Sequence, residues 1–224
     1  MSTDLFRSRY RVESHRLRGW NYANTGYYFI TIATAFREHI FGHVENDKMI
    51  LNEIGEIVQN EFIKSFAIRS ELSLGKFVLM PNHLHTIVGL ENPHFERPCR
   101  DARPCVSTMM TTITPTTRPI PHRQPKSISS FVAGFKSATI QKINDWIDSM
   151  DSVQAHGIVE THGRASLQVD NRMVLQKYNR QNPLWQPNYH DRVIRNQREY
   201  TNIANYIIEN PQRWREDRFF VEKT

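Results

Sequence analysis

Two histidines separated by one apolar residue, His83 and His85, lie in the run spanning residues 78–88, whose composition is that of a β-strand. Successive side chains of a strand alternate faces, so residues i and i+2 point the same way. His83 and His85 then present two imidazoles on one face, while Leu84, Thr86 and Val88 take the other. Two neutral imidazoles side by side form half of a metal site, completed by one or two further oxygen or nitrogen ligands. A pair of ordinary strand histidines would look the same, so the pattern needs elements elsewhere in the chain to complete it.

Those elements can be read in order. Residues 27–34 are rich in aromatic and β-branched residues and predict a strand. Residues 41–51 predict a short strand, a turn at Asn46-Asp47 and a return strand. From Asn52 to Ala67, the apolar residues Ile54, Ile57, Val58, Phe62 and Phe66 recur at helical spacing. Asn52 is the expected N-cap, with Glu53 and Glu56 near the positive end of the helix dipole. Residues 72–80 predict another strand, and Pro81-Asn82 a tight turn into the histidine strand.

The composition changes at residues 91–126, where seven of the chain's 11 prolines fall among threonines with little apolar periodicity. This stretch reads as a flexible insertion. A helix follows over 127–150, with Val132, Phe135, Thr139, Ile143 and Trp146 on one face, Ser129 or Ser130 as cap, and Lys136 and Lys142 flanking. Residues 152–180 carry no clear pattern. Residues 182–195 are extended, with Trp185 as a packing anchor. The final helix opens on the capping box Asn196-Gln-Arg-Glu199, carries Tyr200, Ile203 and Ile207 as its core stripe, and is stopped by Pro211. Tyr206 lies beside that stripe, Asn210 lies one turn beyond it, and Trp214 can anchor a short tail.

The chain of 224 residues is long enough for one well-cored domain, and its formal charge of +6 favours a polyanionic partner. The basic start, with Arg7, Arg9, Arg11, Arg16 and Arg18 among Tyr10, Trp20 and Tyr22, suits either a solvated arm or one that contacts phosphates. No apolar run can span a bilayer, and the N-terminus lacks the apolar core of a signal peptide, which together suggest a cytoplasmic protein. Cys99 and Cys105 lie in the proline-rich stretch and read as free thiols.

Three pieces taken together, Met80-Pro-Asn-His-Leu-His-Thr-Ile-Val88, Trp185-Gln-Pro-Asn-Tyr-His-Asp-Arg-Val-Ile-Arg-Asn196 and Tyr206-Ile-Ile-Glu-Asn-Pro211, resemble the single-tyrosine transposases of the HUH endonuclease superfamily, and within it the REP-associated tyrosine transposases. The resemblance covers residues 27–90 and 131–214 and leaves 91–126 as an insertion. It implies a single α+β catalytic domain with a ferredoxin-like antiparallel sheet, helices on one face, and the two histidines on a central strand. It implies cleavage and strand transfer of single-stranded DNA near hairpins, through a 5′-phosphotyrosyl intermediate, by a monomer or homodimer. His83 and His85 match the metal ligands, for Mg²⁺ or Mn²⁺, and Tyr206 matches the nucleophile. Asn210 matches the position of a third ligand, where relatives often carry Gln. Tyr189 and Tyr200 are second choices for the nucleophile. Arg192, Arg195 and Lys136 are the expected DNA contacts, and His190 and Asp191 read as positioning the final segment. Three other readings use the same residues: a catalytically silent DNA-binding protein, a hydrolase with a water nucleophile, and a replication initiator or relaxase-like nicking enzyme.

Overall fold

The computed structural model describes residues 5–6, 9–10, 20–92, 124–155 and 176–220. Most of the proline-rich insertion, with Cys99 and Cys105, lies outside the described residues, as does most of the N-terminal arm. Of the arm, two short strands, β1 (Leu5–Phe6) and β2 (Arg9–Tyr10), pair antiparallel.

The core of the fold runs β3 (Gly26–Ala33), α1 (Glu53–Ala67), β6 (Leu72–Met80), β7 (His83–Leu90), α2 (Ile128–Ala155) and β8 (His190–Ile194). The sheet order is β6-β7-β3-β8, with every pairing antiparallel. Counting only these four strands, the spatial order is 2-3-1-4, the βαββαβ arrangement of a ferredoxin-like sheet. A two-stranded hairpin, β4 (Gly42–Glu45) and β5 (Lys48–Leu51), is inserted between β3 and α1. Its turn residues Asn46 and Asp47 both adopt positive φ (48° and 60°), the left-handed geometry that short polar side chains tolerate and a tight hairpin requires. The β6–β7 connection is the two-residue turn Pro81-Asn82, with Met80 paired to His83.

Alternation along the central strands divides the domain into two layers. Tyr28, Ile30 and Ile32 of β3 and Leu84, Val88 and Leu90 of β7 join Ile54, Val58 and Phe62 of α1 and Phe131, Val132 and Phe135 of α2 in the main core. Phe62 sits at its centre, 5.4 Å from Phe135 and 5.2 Å from Phe66 between ring centroids. Asn52 caps α1 as expected, its Oδ1 accepting from the Gly55 amide at 2.9 Å. The start of α2 differs from expectation: Ser127 is the cap, accepting from the Ser130 amide, while the Ser129 hydroxyl bonds Tyr189.

Helices α1 and α2 thus occupy one face, as expected. The final helix, α3 (Gln197–Glu209), crosses the opposite face, where Ile207 and Ala204 pack on Ile87 and Ile194, with Val78, Phe29, Tyr200 and Ile203 at the margin. That face carries the odd-numbered residues of β3 and β7, so its apolar half at Phe29 and Ile87 needs a cover of its own. At Gly75 an added Cβ would lie 3.0 Å from the Ile87 carbonyl and 3.1 Å from the Tyr200 hydroxyl, so bare backbone lets α3 come this close. Asn196 caps α3 through the Glu199 amide, and Glu199 returns a bond to the Arg195 amide, both at 2.9 Å. After α3 the chain turns through a short 3₁₀ segment (Trp214–Glu216) and folds back over the sheet. There Trp214 and Phe219 pack on Ala33 and Met80. Ala33 stands directly opposite His83 in the ladder, and its small side chain leaves room for that tail.

Candidate active site

His83 and His85 stand on the inner strand β7, both buried, with ring centroids 4.4 Å apart. Each ring is held by one neighbour. The His85 register partner on β3 is Thr31, whose Oγ1 lies 2.8 Å from His85 Nδ1. A hydroxyl both donates and accepts, so Thr31 holds the ring in either tautomer. His83 is held more tightly. The Asn82 amide nitrogen donates to the carbonyls of Arg37 and Phe219, each at 2.8 Å, which turns Asn82 Oδ1 toward His83 Nδ1 at 2.9 Å. A carbonyl oxygen only accepts, so Nδ1 carries the proton and Nε2 keeps its lone pair. His83 Nε2 is buried and meets no hydrogen-bond donor among the described residues. A buried lone pair left in this way costs roughly 1–3 kcal/mol unless a ligand takes it up.

The remaining groups arrive from the C-terminal end. Tyr206 projects from α3 over His85, its hydroxyl 3.2 Å from His85 Nε2 and donating to Asp217 Oδ2 at 3.1 Å. Phe29 meets the Tyr206 ring edge-on at 6.2 Å. Tyr206 is 38% exposed, so a large substrate can reach the hydroxyl while the ring is held. Asn210, the C-cap of α3, is buried, and its Nδ2 donates to Asp217 Oδ2 at 3.1 Å. The other Asp217 oxygen accepts from the Phe219 amide at 2.7 Å. The ligand atoms of His83, His85 and Asp217 all lie within 4.8 Å of one another.

The electrostatics suit a cation. Burial, then the charges of Arg218 and His39, lowers the His83 pKa to about 3. Burial and the neighbouring His83 hold His85 well below the ordinary imidazole range, with Asp217 opposing them. Both rings are therefore neutral at physiological pH, as ligands must be. The Tyr206 hydroxyl is pushed up to about 12, by burial first and by Asp217 second.

The donor set fits a divalent metal. His83 Nε2, His85 Nε2 and Asp217 Oδ2 mix imidazole with a hard carboxylate, which suits Mg²⁺ or Mn²⁺. Asn210 Oδ1 is also buried and meets no donor among the described residues, and it offers a further oxygen beside the same carboxylate. Sequence patterns alone do not single out Asp217. It lies in an aperiodic tail, and the only local hint is Trp214 three residues before it, the anchor that turns the tail back.

The other expected site residues divide. Lys136, expected on DNA, is hydrogen-bonded within the fold. Its ammonium donates to the carbonyls of Gln186 at 2.7 Å and Asn188 at 3.1 Å, tying α2 to the segment that leads into β8. Replacing Lys136 by Met should lower stability by about 1–2 kcal/mol, read by denaturant unfolding. It should leave the salt dependence of single-stranded DNA binding unchanged, and a shallower slope would return Lys136 to the DNA. Arg192 is exposed and pairs with Glu199 at 2.6 Å, and Arg195 is exposed beside it. Together with Arg198, Asn196, Asn202 and Tyr22 they line a groove of about 640 Å³ at the start of α3. His190 shares the cross-strand row of Thr31 and His85, whereas Asp191 alternates to the other face. Tyr200 packs edge-on against Tyr27, and the Tyr189 hydroxyl bonds that of Ser129. Trp185 is buried against Phe41 and Phe135.

Asn82 supports the site without touching the three-residue cluster's ligand atoms. Replacing it by Ala takes the Asn82 partner from the buried Phe219 carbonyl, the partly buried Arg37 carbonyl and the His83 Nδ1–H. The expected cost is about 2–4 kcal/mol in unfolding free energy and roughly a 10- to 100-fold loss in metal affinity. Urea unfolding and Mn²⁺ titration calorimetry would check the two effects separately.

No family model matches the chain. An uncharacterized protein of Haemophilus influenzae (strain ATCC 51907 / DSM 11121 / KW20 / Rd) is 26% identical over 223 residues, covering 99% of this chain and 100% of its own. Among solved structures, a REP-associated tyrosine transposase bound to a REP hairpin is similar with a TM-score of 0.47 at 16% identity, over 91% of this chain and 74% of that one. A Deinococcus radiodurans R1 protein proposed to be a transposase has a TM-score of 0.37 at 17% identity, over 88% of this chain and 98% of its own. These likenesses are distant, and the chemistry rests on the residues of this chain. No described helix is long and apolar enough to cross a membrane.

Proposed function

We propose that the protein is a metal-dependent DNA endonuclease and strand transferase of the HUH type, acting on single-stranded DNA with Tyr206 as nucleophile. One observation carries the reading: a half-exposed tyrosine hydroxyl lies 3.2 Å from one of two neutral, buried histidines and hydrogen-bonds the carboxylate that completes their cluster.

The Tyr206 oxygen attacks the phosphorus of a phosphodiester, forming a Tyr–O–P bond as the P–O3′ bond breaks. The products are a 5′-phosphotyrosyl enzyme and a free 3′-hydroxyl. Because the bond energy is kept in the ester, a second 3′-hydroxyl can reverse the step and transfer the strand. A phenol whose pKa stands near 12 does not ionise unaided at neutral pH. Its hydrogen bond to Asp217 Oδ2 orients the hydroxyl for attack; at this partly exposed site its proton passes to solvent, and the leaving 3′-oxygen takes one up to become the 3′-hydroxyl. His83, His85 and Asp217, with Asn210 beside them, would hold the divalent ion. When bound, the ion polarises the scissile phosphate and stabilises charge on the leaving 3′-oxygen. Phe29 and the α3 backbone keep the Tyr206 ring over the cluster, so attack needs no large side-chain search. Exposed Arg192 and Arg195 at the other end of α3 would contact phosphates flanking the cleaved bond.

The direct test is incubation with single-stranded oligonucleotides, with and without hairpins, in Mg²⁺ or Mn²⁺. A metal-dependent covalent protein–DNA species on a denaturing gel is the expected result. Cleavage with no such species would replace the tyrosine mechanism by one with a water nucleophile.

A further inference from the structure

Two arginines from opposite ends of the chain meet on one aromatic ring beside the histidine cluster. The Arg218 guanidinium lies 4.7 Å and that of Arg37 5.4 Å from the centroid of Phe219. Phe219 is buried, and its ring is tilted 31° to that of His83 at 4.6 Å. Arg37 and Arg218 are both exposed. Among the described residues neither forms an ion pair with a carboxylate, whereas Arg192 and Arg213 do. The arrangement is also fastened. Arg37 Nη1 donates to the Arg218 carbonyl at 3.3 Å, and the Arg37 carbonyl accepts from Asn82, the residue that sets the His83 tautomer. Arg37 adopts φ of 60° and follows Phe36, which is 67% exposed.

Two guanidiniums held on one ring repel each other, and among the described residues no carboxylate pairs with either to offset the cost. A guanidinium fork matches the oxygens of a phosphate, and stacking on a ring leaves its edge N–H groups available to them.

From this we infer that Arg37 and Arg218, carried by Phe219, form a phosphate clamp that seats the single-stranded backbone next to the scissile bond. The inference rests on the phosphodiester chemistry proposed above and adds the residues that would seat the strand beside His83. The exposed Phe36 edge next to Arg37 supplies a surface on which an unpaired base can stack.

The test is binding of a fluorescent single-stranded oligonucleotide at several salt concentrations, in a Tyr206→Phe background so that no covalent product forms. Arg37→Gln and Arg218→Gln should each weaken binding roughly fivefold and reduce the slope of log K against log salt by about 0.7, the value for one lost phosphate contact on a single strand. Lys64→Gln, on the helix face away from the site, should leave the slope unchanged. Arg37→Lys and Arg218→Lys keep the charge and should retain the slope, which separates a phosphate contact from a folding defect. If the parent protein binds DNA and the Gln variants bind with unaltered affinity and slope, the clamp is wrong while the proposed function stands. If the parent binds no single-stranded DNA, the proposed function fails, and inorganic pyrophosphate then decides the clamp. A rise in melting temperature with pyrophosphate that disappears in both Gln variants supports the clamp, and no rise in the parent overturns it.

Discussion

Tyr206→Phe should abolish the covalent protein–DNA species and lower strand cleavage by at least about a thousandfold, while the protein stays folded. The two effects separate because the hydroxyl does little for stability. It makes one bond to Asp217 at 3.1 Å and one to His85 at 3.2 Å, and the side chain is already 38% exposed. Asp217 Oδ2 keeps its bond from Asn210 and His85 its bond with Thr31, so the expected change in unfolding free energy is within about 1 kcal/mol. The ring keeps its packing on Phe29, and DNA affinity should be unchanged because no phosphate contact is removed. Denaturing gels on 5′- and 3′-labelled strands would follow the adduct, and anisotropy would follow binding. Persistence of the adduct in the variant would exclude Tyr206 and direct attention to another nucleophile. Loss of the adduct with cleavage retained would favour water.

The second large effect should come from His83→Ala. With its Nδ1 proton committed to Asn82, the buried Nε2 lone pair has no use in the metal-free protein, and its removal takes away one of the two imidazole donors. Metal-dependent cleavage should fall by at least about a hundredfold, to the level of wild type in excess chelator. A readout independent of activity exists. Mn²⁺ at about 100 times its dissociation constant should stabilise the wild type by about 2.7 kcal/mol, and that increment should vanish in His83→Ala and in His85→Ala. The substitution also opens space beside Phe219 and Trp214, so the metal-free variant is the proper baseline for the comparison. Equal stabilisation of wild type and both variants by Mn²⁺ would show that the ion binds elsewhere.

Local periodicity made part of this site legible. The pairing of His83 with His85 on one face follows from the strand repeat of two residues, and the register opposite β3 changes nothing in it. The caps at Asn52 and Asn196, the Asn46-Asp47 turn and the Pro81-Asn82 turn are short-range hydrogen-bonding or φ preferences, and each stands where its residue type requires. The strands over 27–34 and 72–80, the histidine strand and the helices over 52–67 and 127–150 could likewise be read from their periods, whereas β8 falls in a stretch that reads only as extended, and the ferredoxin-like sheet rested on the family resemblance.

The rest of the site depends on contacts between distant residues. Tyr206 and His85 are separated by 121 positions and Asn82 and Phe219 by 137, so no window of sequence contains either pair. Asp217 reaches the cluster only because Trp214 and Phe219 bury themselves on Ala33 and Met80 and turn the tail back over the sheet. Lys136 shows the same dependence: only the fold brings the carbonyls of Gln186 and Asn188 to its ammonium. By itself, then, the sequence determined which side chains share a strand or helix face, because backbone geometry sets those faces locally. Only the tertiary structure decided that a tyrosine, a carboxylate and two imidazoles converge within one chain, because apolar burial of α3 and its tail brings those faces together.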